Sequence, residues 1–193
     1  MGLLMVTGEY PPMEGGVGAY TQALARALGR ALVGAGVDVS VLTSRQARPP
    51  VAADEFSVYA RMDGWGWRSL GQIAALARSV QAEWIHVQYQ TAAFGMHPAI
   101  NFGPWLWRRQ GLRVAWTYHD LLVPYLFPKA GAGLRRWVTE QPAFTADVTI
   151  VTNEQDRAQL AGRVNSLNTI PIGTNIQGRT LTPDERAAQR RAW

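Results

Sequence analysis

Residues Leu3 to Thr7 form an apolar run. A short way on, the chain passes through Gly15-Gly16-Val17-Gly18 into a long amphipathic pattern. Strand, glycine turn and helix in this order are how an α/β domain brings bare backbone up to a ligand. Glycines remove the side-chain barrier to close approach, and a helix N-terminus adds unpaired N–H groups and a partial positive charge. Gly15, Gly16 and Gly18 are therefore candidate binding residues for hydroxyl or phosphate oxygens. The pattern is not Gly-x-Gly-x-x-Gly at a strand end, and it is not a Gly-x-x-x-x-Gly-Lys-Ser/Thr loop. A glycine turn that merely starts a helix accounts for the same residues, so the loop alone does not decide the function.

Strand and helix patterns alternate along almost the whole chain. Leu3–Thr7 reads as a strand. Val17, Tyr20, Leu24, Ala27, Leu28, Ala31, Leu32 and Ala35 fall at helical spacing, predicting a helix over Val17–Ala35 with Gly36 closing it. Further strands are predicted at Val37–Thr43, Phe56–Ala60, Trp84–Gln88, Leu112–Thr117, Val148–Thr152 and Ser166–Pro171. Helices are predicted at Arg68–Gln81, Leu134–Phe144, Glu154–Val164 and Pro183–Trp193, and one at Pro98–Gln110 broken or kinked by Gly103-Pro104. Ser44–Asp54, with Pro49-Pro50, reads as loop. The expected fold class is α/β: a Rossmann-like, doubly wound, mostly parallel sheet with helices on both faces. In such a sheet the loops at the strand C-terminal ends line the binding crevice. That places Gly15–Gly18, Gln88–Gln90, His119-Asp120 and Asn153-Glu154 along one edge.

A chain of 193 residues can bury a core without staples. It has no cysteine, which excludes disulfides, a thiol nucleophile and thiolate metal sites. The first apolar run lacks a basic flank, and no stretch has the roughly 18 apolar residues a membrane span needs. A cytoplasmic location is expected. The net charge of +5 rests almost wholly on arginine, with Lys129 the single lysine. There is no regularly spaced basic tract and no recognisable nucleic-acid module, so nucleic acid is not an expected partner.

Thr117-Tyr118-His119-Asp120 ends a predicted strand. An imidazole there can serve a sugar hydroxyl or a phosphate, and the adjacent carboxylate can accept from hydroxyls. The structural alternative is a histidine bonded to backbone beside an aspartate that starts a turn. In Ile85-His86-Val87-Gln88-Tyr89-Gln90, alternation puts His86, Gln88 and Gln90 on one face. His86 lies inside the strand and reads as a satisfied core histidine. Gln88 and Gln90 lie nearer the crevice and suit hydroxyl recognition. His97 receives no role. No histidine pair has metal-ligand spacing, no Asp-x-Asp occurs, and no Gly-x-Ser-x-Gly anchors a serine triad. Two aromatic–basic clusters, Trp105-Trp107-Arg108-Arg109 and Phe127-Lys129-Arg135-Arg136-Trp137, suit a membrane interface. The alternative is tryptophans in the core beside solvated arginines.

Taken in order, several segments resemble the family 4 glycosyltransferases. Gly8-Glu9-Tyr10-Pro11-Pro12 followed by Gly15-Gly16-Val17-Gly18 is similar to that family's opening. Ile85-His86-Val87-Gln88 resembles its fourth-strand segment, and Thr117-Tyr118-His119-Asp120 its Thr-x-His-Asp segment. Val151-Thr152-Asn153-Glu154 matches the place where a Val-Ser-x-x opens a helix. Ile170-Pro171-Ile172-Gly173-Thr174-Asn175 resembles the Pro-x-Gly-Ile-Asp segment, with Asn175 where Asp is common.

The resemblance implies one half of a GT-B fold, in which two Rossmann-like domains face each other across a cleft. It implies an acceptor-side domain over residues 1–178 and a terminal helix or linker over 179–193 that leads toward a C-terminal donor-binding domain. The family's donor-gripping Glu-x7-Glu segment does not occur in this sequence. Under the resemblance, Gly15, Gly16 and Gly18 border the donor diphosphate and acceptor. His119 is the catalytic candidate, beside the transferred sugar. Gln88, Asp120 and Glu154 are further substrate-binding candidates. The implied chemistry is transfer with retention of configuration from a nucleotide sugar to an acceptor glycan or lipid, with no required metal or cofactor. The half domain alone is expected to be inactive. Partner expectations are the second domain, peripheral contact with the inner membrane face, and a dimer through exposed surface.

A stand-alone Rossmann-like ligand-binding or interaction module is the competing reading. A dinucleotide-dependent oxidoreductase is disfavoured by the long first loop, and by Thr43-Ser44 standing where an acidic residue would grip the ribose.

Overall fold

A computed structural model describes residues 1–47, 55–123, 128–164, 166–173 and 181–192. The strands are β1 (Gly2–Thr7), β2 (Asp38–Ser44), β3 (Ser57–Met62), β4 (Ala82–Tyr89), β5 (Arg113–Tyr118), β6 (Val148–Val151) and β7 (Leu167–Thr169). The helices are α1 (Gly16–Leu32), α2 (Trp67–Ser79), α3 (Gly103–Arg109), α4 (Ala132–Thr145), α5 (Glu154–Leu160) and α6 (Pro183–Ala192). The strands form one sheet in the order β3-β2-β1-β4-β5-β6-β7, and every pairing is parallel. The chain winds outward from β1 in one direction and from β4 in the other. Between those two strands lies the switch point, where a doubly wound sheet opens a crevice at its C-terminal ends.

Alternation along the central strands sorts the residues between two cores. Leu4, Val6, Ile85, Val87, Tyr89, Val114, Trp116 and Tyr118 pack with Leu70, Ile73, Trp107, Ala143 and Leu160 from α2 to α5. On the other face Met5, Val39, Val41 and Phe56 pack with Ala25 of α1, and Leu24 and Leu28 flank them. The apolar face of α1 follows from its helical spacing, which returns a residue to the same side about every 3.6 positions.

One helix break falls where the sequence places it, and other element boundaries shift. The break expected at Gly103-Pro104 divides the segment Pro98–Gln110 into a 3-10 turn, Pro98–Phe102, and α3. Pro104 stands in the first turn of α3, where a missing N–H costs nothing. The last turn of the first predicted helix tightens to a 3-10 turn over Val33–Ala35. Gly36 then closes it at φ 65°, its N–H donating to the Val33 carbonyl. Helix α5 stops at Leu160 rather than at Val164, and Gly162 in the following turn takes φ 71°.

Helix α6 begins with a reciprocal cap. The Thr182 N–H donates to Glu185 Oε2 at 2.8 Å, and the Glu185 N–H donates to Thr182 Oγ1 at 3.3 Å. Its side chains are mostly exposed. Pro49-Pro50, Phe127, Thr174-Asn175, Trp193 and the expected boundary at residues 178–179 lie outside the described residues.

Candidate functional site at the sheet switch point

The glycine loop after β1 has a support that the sequence reading did not identify. Glu9 turns back onto the start of α1, and its Oε1 accepts from the Val17 N–H at 3.1 Å and the Gly18 N–H at 3.3 Å. Gly15 at the N-cap offers no side-chain cap of its own, so this carboxylate satisfies the first orphan donors and meets the positive end of the helix. The N–H groups read from sequence as unpaired are thus partly taken by the chain itself. A Cβ at Gly15 would run into the Glu9 carboxylate, and one at Gly18 would lie 2.9 Å from the Tyr10 backbone. At Gly16 a Cβ would meet nothing within 4 Å. Gly16 is therefore the glycine that opens onto free space.

A cleft of about 350 Å³ lies there, lined by Gly16, Val17, Tyr20, Gln90, His119, Ile172 and Gly173. It draws on the first turns of α1 and the loops after β4, β5 and β7, the arrangement expected of a parallel sheet at its switch point. His119 follows β5 and is clamped through its backbone. Its N–H donates to the Tyr89 carbonyl at 2.9 Å, and its carbonyl accepts from Thr152 Oγ1 at 3.3 Å. Tyr20, one helical turn beyond Gly16, meets the imidazole edge-on with ring centroids 5.0 Å apart. Burial pushes the Tyr20 phenol above its ordinary pKa, keeping it a neutral hydroxyl.

Behind His119 runs a chain of polar side chains on the α1 side of β4 and β5. His119 Nε2 lies 3.0 Å from Gln88 Oε1, and Gln88 Nε2 lies 3.0 Å from His86 Nε2. His86 Nε2 also lies 2.8 Å from Thr117 Oγ1. The register sets this up: Gln88 pairs with Thr117 and His86 with Ala115 across β4 and β5, so the three polar residues share one sheet face. Burial lowers the His119 pKa to about 4. Burial first, and the neighbouring His119 charge second, lower that of His86 to about 4 as well. Both rings are neutral at physiological pH.

The sequence candidates thus separate. Gly16, Gln90 and His119 meet in the cleft, with Tyr20, Ile172 and Gly173 added by the fold. Gln88 is fully buried, and its amide is occupied by the two histidines, so it stands behind the site rather than in it. Asp120 and Glu154 are not among the residues lining this cleft. Asp120 Oδ1 accepts from the Leu122 N–H at 3.3 Å and starts a turn. Glu154 stands in the first turn of α5, exposed, 3.9 Å from Arg157. Tyr20 carried a readable signal, the i, i+4 step from Gly16. Glu9 carried a fainter one: an acid just upstream of a helix whose N-cap is glycine.

Among the described residues there is no group of three or more metal-ligating side chains, and no helix is long and apolar enough to cross a membrane. The aromatic–basic clusters divide. Trp107 is fully buried and its indole N–H donates to the Leu70 carbonyl at 3.0 Å. Trp105 is half-exposed, with the Arg109 guanidinium 3.9 Å above its ring, and Trp137 is similarly exposed.

An all-parallel sheet in this order, with a cleft at its switch point, is a Rossmann-like architecture. The chain belongs to glycosyltransferase family 4: the model of Glycosyltransferase Family 4 matches residues 14–177. No curated protein matches the chain.

Among solved structures it is similar to a sucrose-phosphate synthase (tll1590) from Thermosynechococcus elongatus. The identity is 18% and the TM-score 0.53, with 100% of this chain and 96% of that one covered. It is also similar to Anabaena Alr3699/HepE in complex with UDP-glucose, at 15% identity and TM-score 0.56 over 100% of this chain and 49% of that one. Alr3699/HepE in complex with UDP matches at 17% identity and TM-score 0.55, over 100% and 50%. The chain therefore spans about half the length of HepE. At these identities the likeness establishes the fold.

Proposed function

We propose that this chain is the acceptor-side half of a retaining glycosyltransferase that moves a sugar from a nucleotide-sugar donor to an acceptor hydroxyl. The observation that carries this reading is the cleft itself, where a neutral, half-buried imidazole faces an open glycine backbone and a tyrosine. Bare backbone at Gly16 permits the close approach a diphosphate-linked sugar requires. Gln90, His119 and Tyr20 offer donors and acceptors suited to hydroxyls. The complexes of HepE with UDP-glucose and UDP support a nucleotide sugar as the donor class.

In this reading His119 touches the transferred sugar, and catalysis rests on positioning and on stabilising the departing phosphate. The half domain contributes acceptor and sugar contacts, while the donor phosphates need a second domain. The 193-residue chain alone then transfers no sugar. The exposed Trp105–Arg109 pair supports an added contact with an anionic membrane surface, where a lipid acceptor would sit.

Titration of the chain with UDP-glucose, followed by amide NMR, tests the binding reading. Shifts confined to Gly16, Tyr20, Gln90 and His119 are expected, with weak affinity for a half site. Shifts elsewhere only, or none at millimolar ligand, would remove it. Sugar transfer well above background by the isolated chain would overturn the claim of inactivity.

A further inference from the structure

The polar chain beneath the cleft is more than a satisfied core. A neutral imidazole has one nitrogen that donates and one that accepts, and its hydrogen bonds decide which is which. Gln88 is a primary amide held between two imidazoles, with its oxygen 3.0 Å from His119 Nε2 and its nitrogen 3.0 Å from His86 Nε2. An amide oxygen only accepts and an amide nitrogen only donates. His119 must then carry its proton on Nε2, and His86 must leave Nε2 bare. The Thr117 hydroxyl, 2.8 Å from that same His86 nitrogen, donates or accepts and so follows whichever tautomer Gln88 imposes. With Nε2 committed inward, the ring nitrogen of His119 left for a ligand is Nδ1, an acceptor.

We propose that Gln88, held between His86 and His119, is a positioning residue that locks His119 in its Nε2–H tautomer. His119 thereby presents Nδ1 as a fixed acceptor for a ligand hydroxyl rather than as a donor to a phosphate. This rests on the glycosyl-transfer reading for the identity of the ligand, but the lock itself is a property of the protein without ligand. A Gln88 amide free to turn would reverse both tautomers together. Gln88 is fully buried with an imidazole at either end of its amide, and that packing opposes the turn. The device thus selects a hydroxyl at this point of the cleft before any ligand arrives.

Long-range ¹H–¹⁵N correlation of the imidazoles in the ¹⁵N-labelled 193-residue chain at neutral pH tests this directly. The expected spectrum has His119 protonated at Nε2 and bare at Nδ1, with His86 the opposite. In Gln88→Leu the two His119 nitrogens should move toward each other as the tautomers mix. In Gln88→Glu the carboxylate accepts from both rings, so His86 should switch its proton to Nε2 while His119 keeps its own. A wild-type His119 protonated at Nδ1 would overturn the proposal. So would a folded Gln88→Leu whose His119 nitrogens do not move. Should Gln88→Leu fail to fold, the wild-type spectrum and Gln88→Glu decide, and an unchanged His86 in Gln88→Glu would also overturn it. No donor or acceptor is added, so failure here leaves the glycosyl-transfer reading standing, and failure to bind UDP-glucose leaves the tautomer result standing.

Discussion

Strand β4 builds two different environments from alternate residues. On one side Ile85, Val87 and Tyr89 enter a core of tryptophan, tyrosine and aliphatic side chains. On the other, His86 and Gln88 are buried too but spend their polar atoms on each other, on Thr117 and on His119. The apolar side is held by area removed from water, which depends little on direction. The polar side is held by a few directional contacts whose loss leaves buried groups unpaired. Burial is common to both, but only the polar side ends at the cleft. Stability and function are divided across the thickness of one strand.

The largest test of that division is on the apolar side. Trp107 fills the core beneath α2 and α3 and anchors its indole N–H on Leu70. Trp107→Ala is expected to cost roughly 3–5 kcal/mol, read as a lower midpoint in chemical denaturation. It should leave the folded fraction's His119 tautomer unchanged. A shift of that tautomer in folded Trp107→Ala would show that the two sides are not separable.

The second test is acid, which acts on the polar side alone. Both histidine pKa values fall from 6.5 to about 4 in the folded chain. The unfolded chain therefore binds more protons between those limits, and stability that is complete above pH 6.5 is lost as pH falls toward 4. A shift of this size on one buried ring corresponds to a loss on the order of 3 kcal/mol when fully expressed. Denaturation midpoints at pH 7.5 and 4.5 should differ accordingly, and the difference should shrink in His86→Asn. A midpoint that is flat across this range would contradict neutral burial of the pair.

The third test lies at the junction of cleft and helix. Glu9→Gln keeps the size of the side chain but removes the charge that meets the α1 N-terminus. It should cost about 1 kcal/mol and should make that end of the helix more receptive to added phosphate. Equal stability in low salt would mean that Glu9 does not hold the glycine loop.

The contrast between the two sides also explains what the sequence made legible. Parallel α/β architecture and the placement of Gly16, Gln90 and His119 at one edge follow from period and strand order, which local residue types carry. His86 was readable as a core histidine because it lies inside a strand. The role of Gln88 was not, since its position near the strand end suits a ligand as well as it suits a neighbour. Only the folded arrangement of β4 and β5 shows that His119 and His86 reach it first. Glu9 was hidden for a similar reason: its contact with Val17 and Gly18 spans a loop whose path the sequence does not specify. Trp105 and Trp107 look equivalent in sequence, but two positions on a helix are about 200° apart, and one faces the core while the other faces water.

That pair gives the smallest expected effect on stability. Trp105 is half-exposed beneath Arg109, and neither side chain supports the core. Trp105→Ala with Arg109→Ala should change unfolding free energy by no more than about 0.5 kcal/mol, as for ordinary surface substitutions. An aromatic ring and a guanidinium stacked at a surface suit the boundary between acyl chains and anionic headgroups. The double variant should therefore float less with phosphatidylglycerol vesicles than the unaltered chain does. The difference should narrow as salt screens the charge. Flotation unchanged by the substitutions would assign these residues to ordinary solvated surface. A large drop in stability would instead return Trp105 to the apolar side of the comparison, beside Trp107.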